Sequence, residues 1–222
     1  MLYVIGTPIG NLNDITLRAL EALNAVDLIA AEDTRHSGNL LRHFEIRKPL
    51  ISYHEHNEAM RTAELSERLA AGENIALISD AGMPGLSDPG ARLIRACIEK
   101  DLPYTIIPGV SAILTALVGS GFPLEQFFFR GFLPPKSGGR ERELRAAAER
   151  EETSVFFESP HRINKTLAAC AEIMPERELC VARELTKKFE EFRRGTGADL
   201  LAHYETRPAK GEITLLIRGK ED

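Results

Sequence analysis

The chain has 222 residues, is 43% hydrophobic and 27% charged, and carries a formal net charge of −5. That supports one large domain or two small ones with a sizeable core, and it excludes a protein coated in basic residues. Residues 1–111 hold 10 Lys+Arg and 15 Asp+Glu, and residues 112–222 hold the other 18 of each, so the first half carries the whole −5. A polyanion would have to be met by local basic patches, denser in the second half.

In chain order, residues 2–5 read as a buried strand that begins at once, with no basic start and no signal-peptide pattern, so a cytoplasmic address is expected. Ile15, Ala19, Ala22, Leu23 and Val26 follow at helical spacing. Residues 27–31 read as a strand ending at Glu32 and Asp33, 37–44 as a helix, 50–53 as a strand and 58–71 as a helix closed by Gly72. After a strand at 75–79 comes a long Gly/Pro loop, then Asp88-Pro89 as N-cap and first turn of a helix. Residues 104–107 predict a strand. Val110, Ile113, Leu114, Leu117 and Val118 predict a helix closed by Gly121.

A seam near 119–123 divides the chain into domains 1–118 and 119–222. Beyond it, 127–129 predict a strand, 134–139 a flexible basic stretch and 141–152 a charged helix. Strands follow at 154–157, 178–182 and 213–217, with helices at 163–173 and 197–204. Alternation of this kind predicts an α/β fold with parallel strands covered on both faces. The longest apolar runs, such as 113–118, are too short to span a bilayer. Cys97, Cys170 and Cys180 form no C-x-x-C pair and are expected to be reduced and buried.

Three strand ends are rich in Gly, Pro and small polar residues: 6–11, 80–90 and 108–112. Glycine lets a ligand approach the backbone and proline fixes the loop shape. A dinucleotide fingerprint does not fit, because Gly6 and Gly10 are spaced G-x-x-x-G and Pro8 lacks an amide; no G-K-[ST] follows for a phosphate loop either.

The segments 2–12, 31–35, 52–58, 78–84, 88–90, 107–112 and 157–162 together resemble the signatures of one family. They are LYVIGTPIGNL, AEDTR, SYHEHNE, ISDAGMP, DPG, IPGVSA and FESPHR, and they cover nearly the whole chain in order. That family is the small-subunit ribosomal RNA cytidine ribose 2'-O-methyltransferases of the tetrapyrrole methylase-like superfamily. The resemblance implies two α/β domains with S-adenosylmethionine in the cleft between them. It implies cofactor contacts at Asp80, Ala81, Gly82, Gly85, Ser111 and Ala112, with Glu158, Leu185 and the region near Gly211 from the second domain. Ile9 matches a position often filled by Pro in the tetrapyrrole enzymes and is a further candidate contact.

The implied activity is 2'-O-methylation of a decoding-region cytidine in 16S rRNA, on or near the small subunit, by a homodimer. Two alternatives are a tetrapyrrole-type methylase with a small-molecule acceptor and a cofactor-binding assembly factor without turnover. Many members of the family continue into a small helical module beyond the position matching Asp222, and this sequence is expected to lack it.

A ribose hydroxyl benefits from a general base or from a cation that favours the oxyanion. Glu32, Asp33, Arg35, His54, Glu55, His56 and Asn57 form a polar cluster at the ends of the second and third strands. His54 and His56 would share one face of an extended segment. A metal there would need a third ligand, and no metal is expected. His54 or Asp33 is the expected base, with Arg35 on phosphate. Glu158 and Lys187 are competitors, because a lysine lowers a nearby hydroxyl's pKa.

RNA-backbone candidates are Arg140, Arg142, Arg145, Arg162, Lys187, Lys188, Arg193 and Arg194, with residues 136–140 as a mobile basic lip. Tyr53, Phe132 and Phe189 are candidate platforms for a splayed-out base.

Overall fold

The computed structural model describes residues 1–220. The chain divides into two compact units, Met1–Ser111 and Ala112–Asp222. This division falls before the expected seam and gives the helix after Ser111 to the second unit.

The first unit is a five-stranded parallel sheet of β1 (Leu2–Ile5), β2 (Leu28–Ala31), β3 (Leu50–Ser52), β4 (Ile75–Ile78) and β5 (Tyr104–Ile107). Its order is β3-β2-β4-β1-β5. Four helices link the strands: α1 (Leu17–Ala25), α2 (Thr34–His43), α3 (Glu58–Ala70) and α4 (Ala91–Glu99). Alternate strand residues feed two cores. Ile5, Ile29, Ala31 and Ile78 pack with Leu23 of α1 and Leu41 of α2. Leu2, Val4, Leu28 and Leu77 pack with Leu65 of α3 and Leu93 of α4.

Burial on both faces is what a central parallel sheet requires, and it is why these strands read as continuous apolar runs. Neighbouring β1 and β4 are followed by helices on opposite faces. That is the switch point at which open α/β sheets leave room for a ligand beyond the strand ends.

The second unit holds α5 (Ala112–Ser120), β6 (Phe127–Phe132), α6 (Ser137–Ala148), β7 (Thr153–Glu158), α7 (Ile163–Ile173), β8 (Leu179–Arg183), β9 (Glu191–Gly195), α8 (Gly197–Thr206) and β10 (Ile213–Ile217). The sheet order is β6-β7-β10-β8-β9. Only β6 and β7 run parallel; β10 is antiparallel to β7 and β8, and β8 to β9. The expectation of parallel strands therefore holds for the first sheet and fails for the second.

Leu144, Leu167, Leu200 and Tyr204 from α6, α7 and α8 pack on Phe156, Val181 and Leu215 in one core. Helix α5 packs against β8, β9 and β10. Gly119 takes the Phe192 ring on its bare face, and Arg194 donates to the carbonyls of Gly119 and Ser120. The helix that looked like the end of the first domain thus packs within the second unit, its C-terminal end held by β9, a half-exposed edge strand of charged residues that sequence pattern did not reveal, while Leu114 and Val118 of its apolar stripe stay exposed.

Two local readings also change. Residues 137–140 form the first turn of α6 and Arg140 is buried, so the basic lip is helix. Asp88 is not a cap: α4 starts after Gly90, whose φ of 142° only glycine adopts easily. Cys97, Cys170 and Cys180 are buried and unpaired. Among the described residues no helix is long and apolar enough to cross a membrane.

Candidate active site

Three loops leave the C-terminal ends of the adjacent strands β4, β1 and β5, and the sequence lets them touch. Gly6 donates to the Ile107 carbonyl at 3.0 Å, while Thr7 and Gly82 exchange backbone hydrogen bonds of 2.9 and 3.0 Å. The Thr7 hydroxyl donates to the Ser79 carbonyl at 3.1 Å. A Cβ on Gly6 would stand 2.8 Å from the Gly109 backbone and 2.7 Å from the Met83 sulfur. The close approach therefore needs glycine on both chains.

Gly82 and Gly85 have φ of 80° and 86°. Ile9 is buried, with its side chain beside Gly82. The far end of the long loop is pinned where Gly90 donates to the Glu58 carboxylate at 3.2 Å. Ile9, Asp80, Ala81, Gly82 and Gly85 thus belong to one hydrogen-bonded platform. Ser111 and Ala112 lie at the division between the units, with Ala112 opening α5.

Beside the platform, carboxylates converge. The Asp33 amide donates to Asp80 at 3.0 Å and the Asp80 amide to Glu32 at 3.5 Å. Burial pushes the Asp88 carboxyl up to about 7, and the charges of Glu32 and Asp80 add to the effect. Glu32 is raised for the same reasons, burial first. Asp88 is the group that sequence reasoning missed, since Asp-Pro before an apolar helix looks like a cap.

Glu32, His54 and Asp88 line one end of a groove of about 1030 Å³ that continues between α3 and α4 past Glu58, Arg92 and Arg95. His54 faces Asn57 through Nε2 at 3.2 Å, and its Nδ1 is shut off from solvent without a hydrogen-bond partner. Strand β3 ends at Ser52, so His54 and His56 sit in a turn rather than on an extended face; their rings meet edge-on at 5.8 Å. Among the described residues no set of three His, Cys, Asp or Glu side chains is arranged to hold a metal.

The remaining expected residues are engaged elsewhere. Asp33 caps α2, accepting from the Arg35 amide at 2.8 Å and from its guanidinium at 3.2 Å. Those bonds hold its carboxyl below the usual range, which makes it a weak base. Glu158 is fully enclosed and bonds Arg162 at 2.6 Å, Thr166 at 2.7 Å and the Ser159 amide at 2.7 Å. Lys187 binds Glu184 at 2.9 Å and Glu212 at 2.7 Å, so these two competitors for activating the hydroxyl are each engaged with other partners.

Leu185 is buried just after β8. Tyr53 is 1% exposed and bonded to Thr62, which removes it as a stacking platform, whereas Phe132 and Phe189 are 56% and 66% exposed. Of the basic candidates, Arg140 is buried, Arg162, Arg193 and Arg194 are held by neighbours, and Arg142, Arg145 and Lys188 are exposed.

Residues 1–201 match the family model of the tetrapyrrole (corrin/porphyrin) methylases. The chain is 50% identical to the ribosomal RNA small subunit methyltransferase I of Synechocystis, over 99% of this chain and 79% of that protein. For the protein of the same name from Thermotoga maritima the identity is 46%, over 99% of both chains. In structure it is similar to uroporphyrin-III-C-methyltransferase from Thermus thermophilus, with TM-score 0.67 and 22% identity over 98% of this chain and 93% of that one. It is also similar to diphthine synthase, with TM-score 0.72 and 14% identity over 98% and 90%. The chain belongs to the tetrapyrrole (corrin/porphyrin) methylase family, whose methyl donor is S-adenosylmethionine, and groups there with the ribosomal RNA small subunit methyltransferases I.

Proposed function

We propose that this chain transfers a methyl group from S-adenosylmethionine to the ribose 2'-oxygen of a decoding-region cytidine in 16S rRNA. The observation that carries the reading is near-full-length identity of 46–50% to proteins named for methylating small-subunit ribosomal RNA.

The donor set suits a sulfonium cofactor. Gly82 and Gly85 offer bare backbone, Ala81 a small side chain, Ile9 an apolar wall and Asp80 a carboxylate, in a region made negative by Glu32 and Asp88. Ser111, Ala112 and Leu185 are further contacts in this reading. Glu158 acts from inside the fold by fixing Arg162 and the first turn of α7. The bound cofactor supplies an electrophilic methyl group, so the protein's work is to orient the acceptor oxygen and manage its proton.

We assign the proton to Glu32 and His54, which line one groove. A carboxyl raised by burial is a better base than Asp33, tied to Arg35, or Lys187, tied to two carboxylates, and the His54 ring lines the same groove beside it. Arg35, 91% exposed at its side chain, is the candidate phosphate contact. The kinship leads us to expect a homodimer working in the cytoplasm.

The test supplies small subunits from a strain lacking this modification, with labelled cofactor, and maps the product by mass spectrometry of nucleosides. 2'-O-methylcytidine is expected. Label on a base, or none on the RNA, overturns the proposal.

A further inference from the structure

The turn joining β8 to β9 is built more rigidly than a hairpin connection needs. Glu184 and Thr186 both lie in the left-handed region, with φ of 51° and 64°. For a β-branched threonine that is a costly conformation, held only when neighbours over-determine it.

The neighbours do so. The Glu184 carboxylate fills the bare face of Gly211, where a Cβ would stand 2.0 Å from Oε1. It accepts from Lys187 Nζ at 2.9 Å and from the Glu212 amide at 3.2 Å. Lys187 is held a second time by Glu212 at 2.7 Å, and the Thr186 amide donates to the Glu190 carboxylate at 2.7 Å. Leu185 anchors the base of the turn in the interior.

This clamp displays Lys188 and Phe189 at the tip. Phe189 is 66% exposed, and the Lys188 ammonium lies 5.6 Å from its ring centroid. Strand register puts Glu158, Ile213 and Arg183 in one row across β7, β10 and β8, with Phe132 of β6 beside Phe157. The turn therefore rises from the sheet end that also carries the exposed Phe132.

We propose that Phe189, presented with Lys188 on this clamped turn, is a stacking platform for an unpaired base of the substrate RNA. This rests on the ribosomal RNA reading above and adds a specific recognition element to it. An exposed aromatic face beside a cation suits a splayed-out base and its phosphate. A rigid turn loses little order when the base docks. A loosely hung phenylalanine would give neither geometry nor affinity.

The test compares wild type, Phe189→Ala, Phe189→Leu and Phe189→Trp on small subunits lacking the modification, with kcat, KM for the subunit and cofactor affinity measured separately. Alanine and leucine should raise KM by about 5- to 150-fold, the loss expected for one stacked base, and leave cofactor affinity unchanged. Tryptophan should restore KM to within a few-fold of wild type. Leucine matching wild type would mean plain apolar contact and would overturn the proposal, as would an unchanged KM for alanine. On protein-free 16S RNA, alanine should weaken binding as well; if it weakens only the assembled subunit, the partner is a ribosomal protein and the proposal fails. A wild type that methylates no small-subunit RNA defeats the functional reading itself, a result distinct from failure of the platform.

Discussion

Replacing Asp88 by asparagine should make the protein more stable at alkaline pH and barely change it at acid pH. Burial beside Glu32 and Asp80 raises the Asp88 carboxyl from 3.8 to about 7. A raised carboxyl favours the protonated folded state. Its stabilising contribution is complete below about 3.8 and is lost as pH climbs through about 7. The gap is roughly three powers of ten, or about 4 kcal/mol at about 1.4 kcal/mol each. Asp88 is only half-buried, so solvent screening cuts the figure to about 1–2 kcal/mol.

Asparagine keeps the shape and an acceptor for Ser79 while removing the charge. At pH 8 the variant should gain about 1–2 kcal/mol, or roughly 2–8 °C in melting temperature for a chain of this size. At pH 4.5 most of that gain should be absent. Calorimetric melts of both proteins at the two pH values decide the matter. Equal differences at both, or a loss at pH 8, would refute the claim that burial and the neighbouring carboxylates disfavour the charged form of Asp88 there. A charge that weakens its own fold near neutral pH is the kind of feature that working sites carry.

Gly109→Ala should abolish measurable cofactor binding in calorimetry, because its Cβ would lie 2.9 Å from the Gly6 backbone, which cannot yield as a side chain could; unchanged affinity would show that the loops do not act as one platform. Glu158→Ala should cost about 2–4 kcal/mol, since it strands the buried Thr166 hydroxyl and the half-buried Arg162; at about 2–4 °C per kcal/mol that is about 4–16 °C in melting temperature, and a loss below about 1 kcal/mol would contradict the network. His54→Ala and Glu32→Gln should each lower kcat about 10²- to 10⁴-fold with cofactor affinity retained; wild-type kcat in both would move the proton transfer to another group.

The parts of the fold legible in the sequence were those decided locally. Tyr104–Ile107, Ile163–Ile173 and Ile213–Ile217 fall where apolar pattern and flanking turn residues put them. The three Gly/Pro loops announced themselves because close backbone approach demands glycine, as at Gly6 and Gly109. What was hidden depended on partners far along the chain. Strand β9 is Glu-Phe-Arg-Arg-Gly, which carries no apolar alternation to mark it as a strand; Arg183 and Ser120 give its charges their role. The antiparallel insertion of β10 between β7 and β8 leaves no mark in periodicity. Lys187 looked catalytic because its partner Glu212 lies 25 residues away.

The same contrast sorts the charged side chains by role. Carboxylates whose partners are cations, Glu158 with Arg162, Glu184 with Lys187 and Asp33 with Arg35, spend their charge on holding a turn or a helix start. Those bonds hold the Glu184 and Asp33 carboxyls below their usual range, which makes them weak bases toward an acceptor hydroxyl. Among the described residues Glu32, Asp80 and Asp88 form no ion pair with Lys or Arg, and they meet at the ends of β2 and β4 beside the glycine loops. An uncompensated negative region costs the apo fold stability. A bound cation relieves that cost, so association with a sulfonium compound should be tighter than with its neutral thioether product, by an amount that shrinks as pH falls below about 7 and the cluster takes up protons.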